Sequence, residues 1–165
     1  MTFTDAPSPY HESSGAAEPE IVKLVLPSVP GYEKVARGAA EAIAHQMGFS
    51  PDRIEDLKTA VSEACMNAIE HGNNLERTAM VTVLLTAAPS KLEVRVEDAG
   101  RQSVPDLLPD PGMGAMRGWG FFFIQQLMDE VEITRLPGGG NQVRMVITLT
   151  PPARAKADPD ASAES

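Results

Sequence analysis

Cysteine is almost absent from this sequence, since Cys65 is the single thiol in 165 residues. An internal disulfide is therefore excluded, which is typical of proteins from a reducing cytoplasm. No apolar run approaches the ~20 residues that a membrane-spanning helix needs. The first 19 residues carry Asp5, Glu12 and Glu18 without a basic or an apolar stretch, so they do not resemble a signal peptide. We expect a cytoplasmic protein that contacts no membrane.

Basic residues are also scarce. The chain has 14 Lys and Arg against 23 Asp and Glu, which gives a formal net charge of −9. A protein that binds the nucleic-acid backbone needs a basic patch, and a polybasic membrane contact needs the same, so this balance argues against both. A basic protein partner fits the charge better.

The length is that of one domain with a buried core. Residues 1–19 and 151–165 are rich in Pro, Ala, Ser and Asp, and such segments bury too little apolar surface to offset the entropy of ordering. We therefore predict a disordered N-terminal segment over 1–19, a folded domain over 20–150 and a disordered tail over 151–165.

Apolar periodicity and turn residues predict the elements of this domain. Ser50 is typical of an N-cap before Pro51, and Gly48 is typical of a helix end. The predicted strands cover 21–26, 81–86, 92–97, 131–136 and 142–149, and the predicted helices cover 31–47, 51 to about 74, and 119–128. The first helix is expected to bury Val35, Ala39, Ala42, Ile43 and Met47, and the last one Phe121, Phe122, Phe123, Ile124 and Leu127.

These elements predict an α+β fold. Two short-linked hairpins favour a largely antiparallel, mixed sheet, and the helices are expected to cover one of its faces. The expected architecture is a two-layer sandwich.

The middle helix carries the most informative pattern. Glu63, Asn67, Glu70 and Asn74 follow i, i+4, i+7 and i+11 spacing, which places them on one helix face. A separate face is apolar and is expected to pack into the core: Leu57, Val61, Ala64 and Ala68. A carboxylate one turn from a carboxamide offers hard oxygen ligands for Mg²⁺ that also carries phosphate. The alternative for such a pattern is an ordinary solvated helix face.

Asp98 and Gly100 lie where a predicted strand gives way to a loop, which is a common location for ligand contacts. A carboxylate here can accept a hydrogen bond from an exocyclic amine, and a glycine lets the backbone approach a base closely. The alternative is a simple turn, in which Asp and Gly are ordinary residues.

Gly118 and Gly120 open the last predicted helix, where free N–H groups favour a phosphate. A hinge is the alternative interpretation of this pair. The preceding 101–117 segment is rich in Gly and Pro and is too long for a plain connector, so we expect a binding loop or lid there.

The order of these motifs resembles that of the GHKL ATPase superfamily, whose site consists of an N box, a first glycine box and a second glycine box. The resemblance covers residues 20–149 and is strongest to the anti-sigma-factor serine/threonine kinases. It implies the Bergerat-type ATPase fold, with ATP and Mg²⁺ as cofactors. It further implies a sigma factor and an anti-sigma antagonist as protein partners, and a homodimer whose seam is the exposed face of the first strand.

The same resemblance implies a role for each matching residue. Glu63 would be the catalytic base, and Asn67 would hold Mg²⁺. Asp98 would read the adenine amino group, with Gly100 beside the base. The phosphates would lie against Gly118 and Gly120, with Arg117 adjacent.

Two positions depart from the family pattern. Gly100 is followed by Arg101 and Gln102 instead of a further glycine, and Trp119 stands between the two glycines where an arginine is common. These departures favour an alternative function, a nucleotide-dependent protein-binding module without transferase activity. A piece of a larger ATPase machine is a third possibility, which the small size disfavours.

Overall fold

The computed structural model describes residues 18–100 and 119–150. In chain order the elements are β1 (Glu20–Pro27), α1 (Glu33–Met47), α2 (Pro51–Asn67), a π turn that continues α2 (Ala68–Gly72), β2 (Met80–Ala88), β3 (Lys91–Glu97), α3 (Trp119–Leu127), β4 (Glu130–Arg135) and β5 (Asn141–Thr148). The strands form one five-stranded sheet in the order β1-β2-β3-β5-β4. The predicted α+β fold is confirmed, and every pairing between described strands is antiparallel, so no parallel pair is present among them.

One face of the sheet is buried beneath the helices. The buried strand residues alternate with partly exposed ones and belong to the same core as the buried residues of the helices; on β2 and β3 they are Val81, Val83, Leu85, Leu92, Val94 and Val96. The outer face of β3 is polar, with Glu93 and Arg95 in an ion pair. This period of two is the pattern of a sheet that is covered on one side.

The ends of α1 and α2 follow local chemistry. Gly48 ends α1 in the left-handed conformation with φ of 85°, and its N–H contacts the last carbonyls of the helix. The Ser50 hydroxyl accepts a hydrogen bond from Arg53 N at 3.4 Å, and Pro51 begins α2. The predictions at Gly48, Ser50 and Pro51 are therefore confirmed.

The buried face of α1 differs from the prediction. Its fully buried residues are Ala36, Ala40 and Ala44, whereas Val35 is 49% exposed and Ala42 is exposed. Ile43 and Met47 pack against the core as expected. The helix has two adjacent apolar stripes, and the stripe that consists of alanines is the fully buried one. Side chains this small allow two packed helices to approach closely.

The predicted core face of α3 is only partly correct. Phe121 and Ile124 are buried, but Phe122 is 44% exposed and Phe123 is 50% exposed. Three consecutive helical residues span about 200° of the helix surface, so they cannot all face one side.

A polar contact fixes α2 relative to α3. Arg53 Nη2, in the first turn of α2, lies 2.5 Å from Asp129 Oδ2, just beyond the end of α3. The same oxygen accepts hydrogen bonds from the N–H and the hydroxyl of Thr148 at 2.7 and 2.9 Å. The two helices that carry the predicted site are thus joined to each other and to β5. Within the described ranges, no helix has the length and apolarity to cross a membrane.

Candidate nucleotide-binding site

Glu63 and Asn67 lie one turn apart on α2, both partly exposed, and they converge on the start of α3. Gly120 is the second residue of α3. A Cβ atom added to Gly120 would lie 2.5 Å from Glu63 Oε2, and 3.5 and 3.7 Å from Asn67 Nδ2 and Oδ1. The structure therefore brings three of the sequence-predicted site residues together, a carboxylate and a carboxamide beneath a helix N-terminus.

The π turn changes the rest of the predicted polar face. Asn73 N donates to Ala68 O at 2.8 Å, a bond to the fifth preceding residue, so the chain no longer turns by 100° per residue. Asn74 lies beyond the helix with φ of 49°, and both Asn74 and Glu70 are exposed. The prediction that Asn74 shares the helix face of Glu63 is wrong, because the extra residue and the turn that follows it break the periodicity.

Asp98 follows β3 directly and is 8% exposed. Its Oδ1 accepts hydrogen bonds from Gly100 N at 2.9 Å and from Asn141 N at 3.1 Å. Its Oδ2 accepts only the Asn141 side-chain amide at 3.2 Å among the described residues. Asp98 therefore both closes the turn and retains acceptor capacity on Oδ2, which is the oxygen better placed to accept a further donor.

Gly100 packs directly on the end of the π turn. A Cβ atom on Gly100 would overlap the carbonyl oxygen of Gly72, and one on Gly72 would overlap the Asp98 carboxylate. A cavity of about 360 Å³ borders this contact, between the Gly72 to Ala79 segment and Gly100. That volume lies within the range of small-ligand pockets, roughly 300–1,000 Å³.

A family model described as the histidine kinase-like ATPase domain matches residues 26–147. The chain belongs to this family. Serine-protein kinase RsbW of Listeria monocytogenes is 38% identical over 122 residues, which are 68% of this chain and 78% of that protein. Serine-protein kinase RsbW of Oceanobacillus iheyensis is 32% identical over 129 residues, 72% of this chain and 82% of that protein.

A solved structure shares the fold. The RsbU and RsbW domains of a Mycobacterium tuberculosis protein superpose with a TM-score of 0.60 at 21% identity, covering 82% of this chain. This chain corresponds to 34% of that longer chain. The GHKL-type ATPase fold that the family resemblance implies is confirmed.

The donor atoms of the candidate site suit a Mg²⁺ ion that is also bound to phosphate. Glu63 and Asn67 offer hard oxygens at one place, but no group of three or more His, Cys, Asp or Glu side chains that could hold a metal occurs within 18–100 and 119–150. Mg²⁺ commonly takes one or two protein oxygens and completes its octahedron with phosphate and water. The residues present therefore fit a metal that arrives with a nucleotide.

Some of the predicted residues lie outside the described part of the chain. They are Arg117, Gly118 and the 101–117 loop, including Arg101 and Gln102. For Trp119 the structure gives the backbone as the first residue of α3. The site as described consists of Glu63, Asn67, Asp98, Gly100 and Gly120.

Two buried residues that contact the candidate site were missed by the sequence interpretation. Asn73 is 4% exposed and its Oδ1 accepts a hydrogen bond from Ala99 N at 2.8 Å. Asn141 is 2% exposed and contacts the Asp98 carboxylate through its backbone and its side chain. Both residues follow a glycine in segments whose sequence is typical of turns, where Asn is common. Neither belongs to a periodic pattern that would have identified it.

Cys65 lies on α2 beside the site and is fully buried. Burial raises the pKa of its thiol to about 12, with a smaller contribution from the charge of Glu33. A thiol of this pKa is neutral and unreactive, so Cys65 serves as a small residue of the core.

Proposed function

We propose that this chain is a serine/threonine-protein kinase that uses ATP and Mg²⁺, sequesters a sigma factor and phosphorylates an anti-sigma antagonist on a Ser or Thr hydroxyl. The observation that carries the proposal is the convergence of Glu63, Asn67 and Gly120 at the N-terminus of α3. Membership of the histidine kinase-like ATPase family supports nucleotide use. Relatives named serine-protein kinases, 32–38% identical, support the reaction class.

In this proposal the adenine ring and the phosphates of ATP lie at opposite ends of the site. Asp98 Oδ2 accepts a hydrogen bond from the adenine amino group, and Gly100 leaves room for the base. Gly120 lets triphosphate oxygens approach the free N–H groups of α3, together with Gly118 and with Arg117 beside it. Asn67 would hold Mg²⁺ through its side-chain oxygen, and the ion would neutralise phosphate charge.

Glu63 acts as the general base. Its carboxylate takes the proton of the incoming serine hydroxyl as that oxygen bonds to the γ-phosphorus. The bond from the γ-phosphorus to its bridging oxygen breaks, and ADP leaves with the electron pair. Positioning and charge neutralisation supply most of the catalysis in phosphoryl transfer, so one carboxylate beside a metal-held triphosphate is sufficient apparatus.

The test is transfer of labelled phosphate from ATP to a candidate antagonist. Glu63→Gln should lower transfer by roughly 10²–10⁴ and leave ATP affinity within a few-fold, because a general base acts in the transition state. Glu55→Gln is the matched control, since Glu55 is an exposed residue of the same helix that pairs with Lys58. If Glu63→Gln loses ATP binding instead, Glu63 belongs to the metal site and its role as base is wrong.

A second function is a nucleotide-dependent binding module without transferase activity. Trp119 in place of the usual arginine, and Gln102 in place of a glycine, favour it. The same assay separates the two functions. Wild-type protein that binds the sigma factor in the presence of ATP but transfers no phosphate to any antagonist is the result expected of the module.

A homodimer through β1 is part of the proposal. β1 is an edge of the described sheet, and Ile21 and Val25 on it are 64% and 56% exposed. Exposed apolar edge strands readily pair with another chain.

Val25→Lys should lower the mass measured by light scattering to that of a monomer. Val35→Lys on α1, where the valine is 49% exposed, should leave the mass unchanged. Equal masses for Val25→Lys and wild type would exclude β1 as the seam.

Three expectations from composition stay predictions. They are a cytoplasmic location, no direct contact with nucleic acid and no contact with a membrane. All three rest on the net charge of −9, the single cysteine and the absence of a long apolar run.

A further inference from the structure

Asn73 uses its whole side-chain amide inside the protein. Oδ1 accepts the N–H of Ala99 at 2.8 Å, and Nδ2 donates to Ser28 Oγ at 2.8 Å and to Met80 O at 3.1 Å. The Ser28 hydroxyl in turn donates to Ala79 O at 2.7 Å. One buried amide therefore joins the loop after β3 to the end of β1 and the start of β2.

The bond to Ala99 acts on Asp98 because the two residues share a peptide unit. That unit consists of the Asp98 carbonyl and the Ala99 N–H. Its N–H is held by Asn73, and its carbonyl faces Gly140, where an added Cβ would overlap the Asp98 oxygen. The peptide plane is thus held on both sides, which restricts the backbone torsion that directs the Asp98 side chain.

The π turn is what brings Asn73 to this position. Asn73 N bonds to Ala68 O instead of to the carbonyl four residues back, so the residues at the end of the helix are rotated relative to a regular α-helix. The same turn places Gly72 against the Asp98 carboxylate. Single π turns inside α-helices often occur at functional sites.

We infer that Asn73 is a positioning residue for base recognition, which acts by holding the Asp98–Ala99 peptide so that the Asp98 carboxylate meets the adenine amino group. The inference rests on the proposed role of Asp98 in reading adenine. Asn73 is 4% exposed and its amide bonds only to groups of the protein among the described residues, so we assign it an indirect action through Asp98. Its loss should therefore affect the choice between bases more than it affects phosphate binding.

The expected signature is a loss of selectivity. A purine that presents a carbonyl in place of the amino group, as in GTP, cannot donate a hydrogen bond to Asp98. The alignment of the Asp98 carboxylate therefore does not strengthen the binding of GTP. When the carboxylate is misaligned, ATP loses a hydrogen bond that GTP never had. Asn73→Ala should weaken ATP binding about 10-fold, as expected for one hydrogen bond, and lower the preference for ATP over GTP by a similar factor.

The test is calorimetric titration of the full chain with ATP and with GTP in the presence of Mg²⁺, together with thermal unfolding. Ser28→Ala is the matched control, because it removes the other end of the same buried network and leaves Asn73 Oδ1 on Ala99. Asn73→Asp retains an oxygen acceptor for Ala99 N–H and loses the donors to Ser28 and Met80. Both variants should unfold at a lower temperature than wild type while retaining its preference for ATP.

The results separate positioning from simple stability. The inference holds if the preference for ATP over GTP falls in Asn73→Ala and stays at the wild-type value in Ser28→Ala and Asn73→Asp. It is overturned if Asn73→Ala keeps the wild-type preference, or if the three variants lose affinity in proportion to their loss of stability. Wild-type protein that binds neither nucleotide would overturn the proposed function and this inference together, whereas ATP binding without an effect at Asn73 overturns the inference alone.

Discussion

Gly120 of α3 lies directly against the carboxylate of Glu63 on α2. A methyl group on Gly120 would lie 2.5 Å from Glu63 Oε2, closer than unbonded atoms approach. The carboxylate is the end of a flexible side chain, so it can move away more easily than the helices can. The absence of a side chain at Gly120 therefore leaves the space that the Glu63 carboxylate occupies.

We predict that Gly120→Ala displaces the Glu63 carboxylate and weakens phosphoryl transfer more than it weakens folding. A 1 Å misplacement of a catalytic group can lower the rate by about 10²-fold. The free energy of unfolding should change little, because alanine also favours the helix. Transfer kinetics and urea unfolding on the same preparation measure the two effects.

Gly38→Ala is the control for this substitution. Gly38 lies in α1, and an added Cβ there has nothing within 4 Å. Its replacement should stabilise the protein by about 0.5–1 kcal/mol through helix propensity and leave transfer unchanged. Equal transfer rates for Gly120→Ala and Gly38→Ala would show that the Glu63 contact does not matter.

We predict that Asp98→Ala weakens ATP binding strongly and also destabilises the fold. Removing the carboxylate deletes the proposed acceptor of the adenine amino group and leaves Gly100 N and the Asn141 side chain without this partner. Loss of a hydrogen bond to a buried polar group costs about 1–3 kcal/mol. Calorimetry with ATP measures the affinity, and unchanged affinity would remove the adenine assignment.

Asp129→Asn is the control for Asp98. The Asp129 side chain is 11% exposed, and it also accepts a backbone N–H, from Thr148, but it lies at the far end of α3. Its loss should lower the stability without changing the ATP affinity. A variant that lowers both would mean that affinity follows general stability.

We predict that Arg53→Met destabilises the protein through the contact between α2 and α3. The Arg53 side chain is 14% exposed and bonds Asp129, so its removal leaves a largely buried carboxylate with fewer donors. A loss of about 1–3 kcal/mol in the free energy of unfolding is expected. Lys58→Ala is the control, since the pairs of Lys58 with Glu41 and Glu55 lie near the surface, where ion pairs contribute little.

We predict that Cys65 makes the stability fall at alkaline pH. Burial raises the pKa of the folded thiol to about 12, whereas an unfolded cysteine has a pKa of about 8.5. The folded state therefore holds the proton that the unfolded state releases. The contribution of the buried thiol to the free energy of unfolding is fully present below pH ~8.5. It decreases by roughly 1.4 kcal/mol per pH unit as the pH rises towards the pKa of the folded state.

Urea unfolding between pH 7 and 10, compared with Cys65→Ala, measures this contribution. The variant lacks the thiol, so the difference in stability between wild type and variant should shrink above pH ~8.5. A difference that stays constant over this range would show that the thiol titrates in the folded protein as it does in water.

Local chemistry in the sequence determined most of the elements and their ends. Gly48, Ser50 and Pro51 act within one helical turn of themselves, so their roles could be read directly from the sequence. The alternation in β2 and β3 has a period of two, which only a strand with one covered face explains. The order of the motifs was sufficient for the family, because each motif has its own local spacing.

Tertiary contacts decided the remainder of the site. The alanine stripe of α1 is buried because it packs against α2. Which stripe of α1 is buried therefore depends on a second helix. The contacts of Asn73 with Ala99 and of Asn141 with Asp98 join residues 26 and 43 positions apart, and Gly120 meets Glu63 across two helices. Periodicity and capping describe interactions within a few residues, so they carry no information about such pairs, which form only when distant elements pack together.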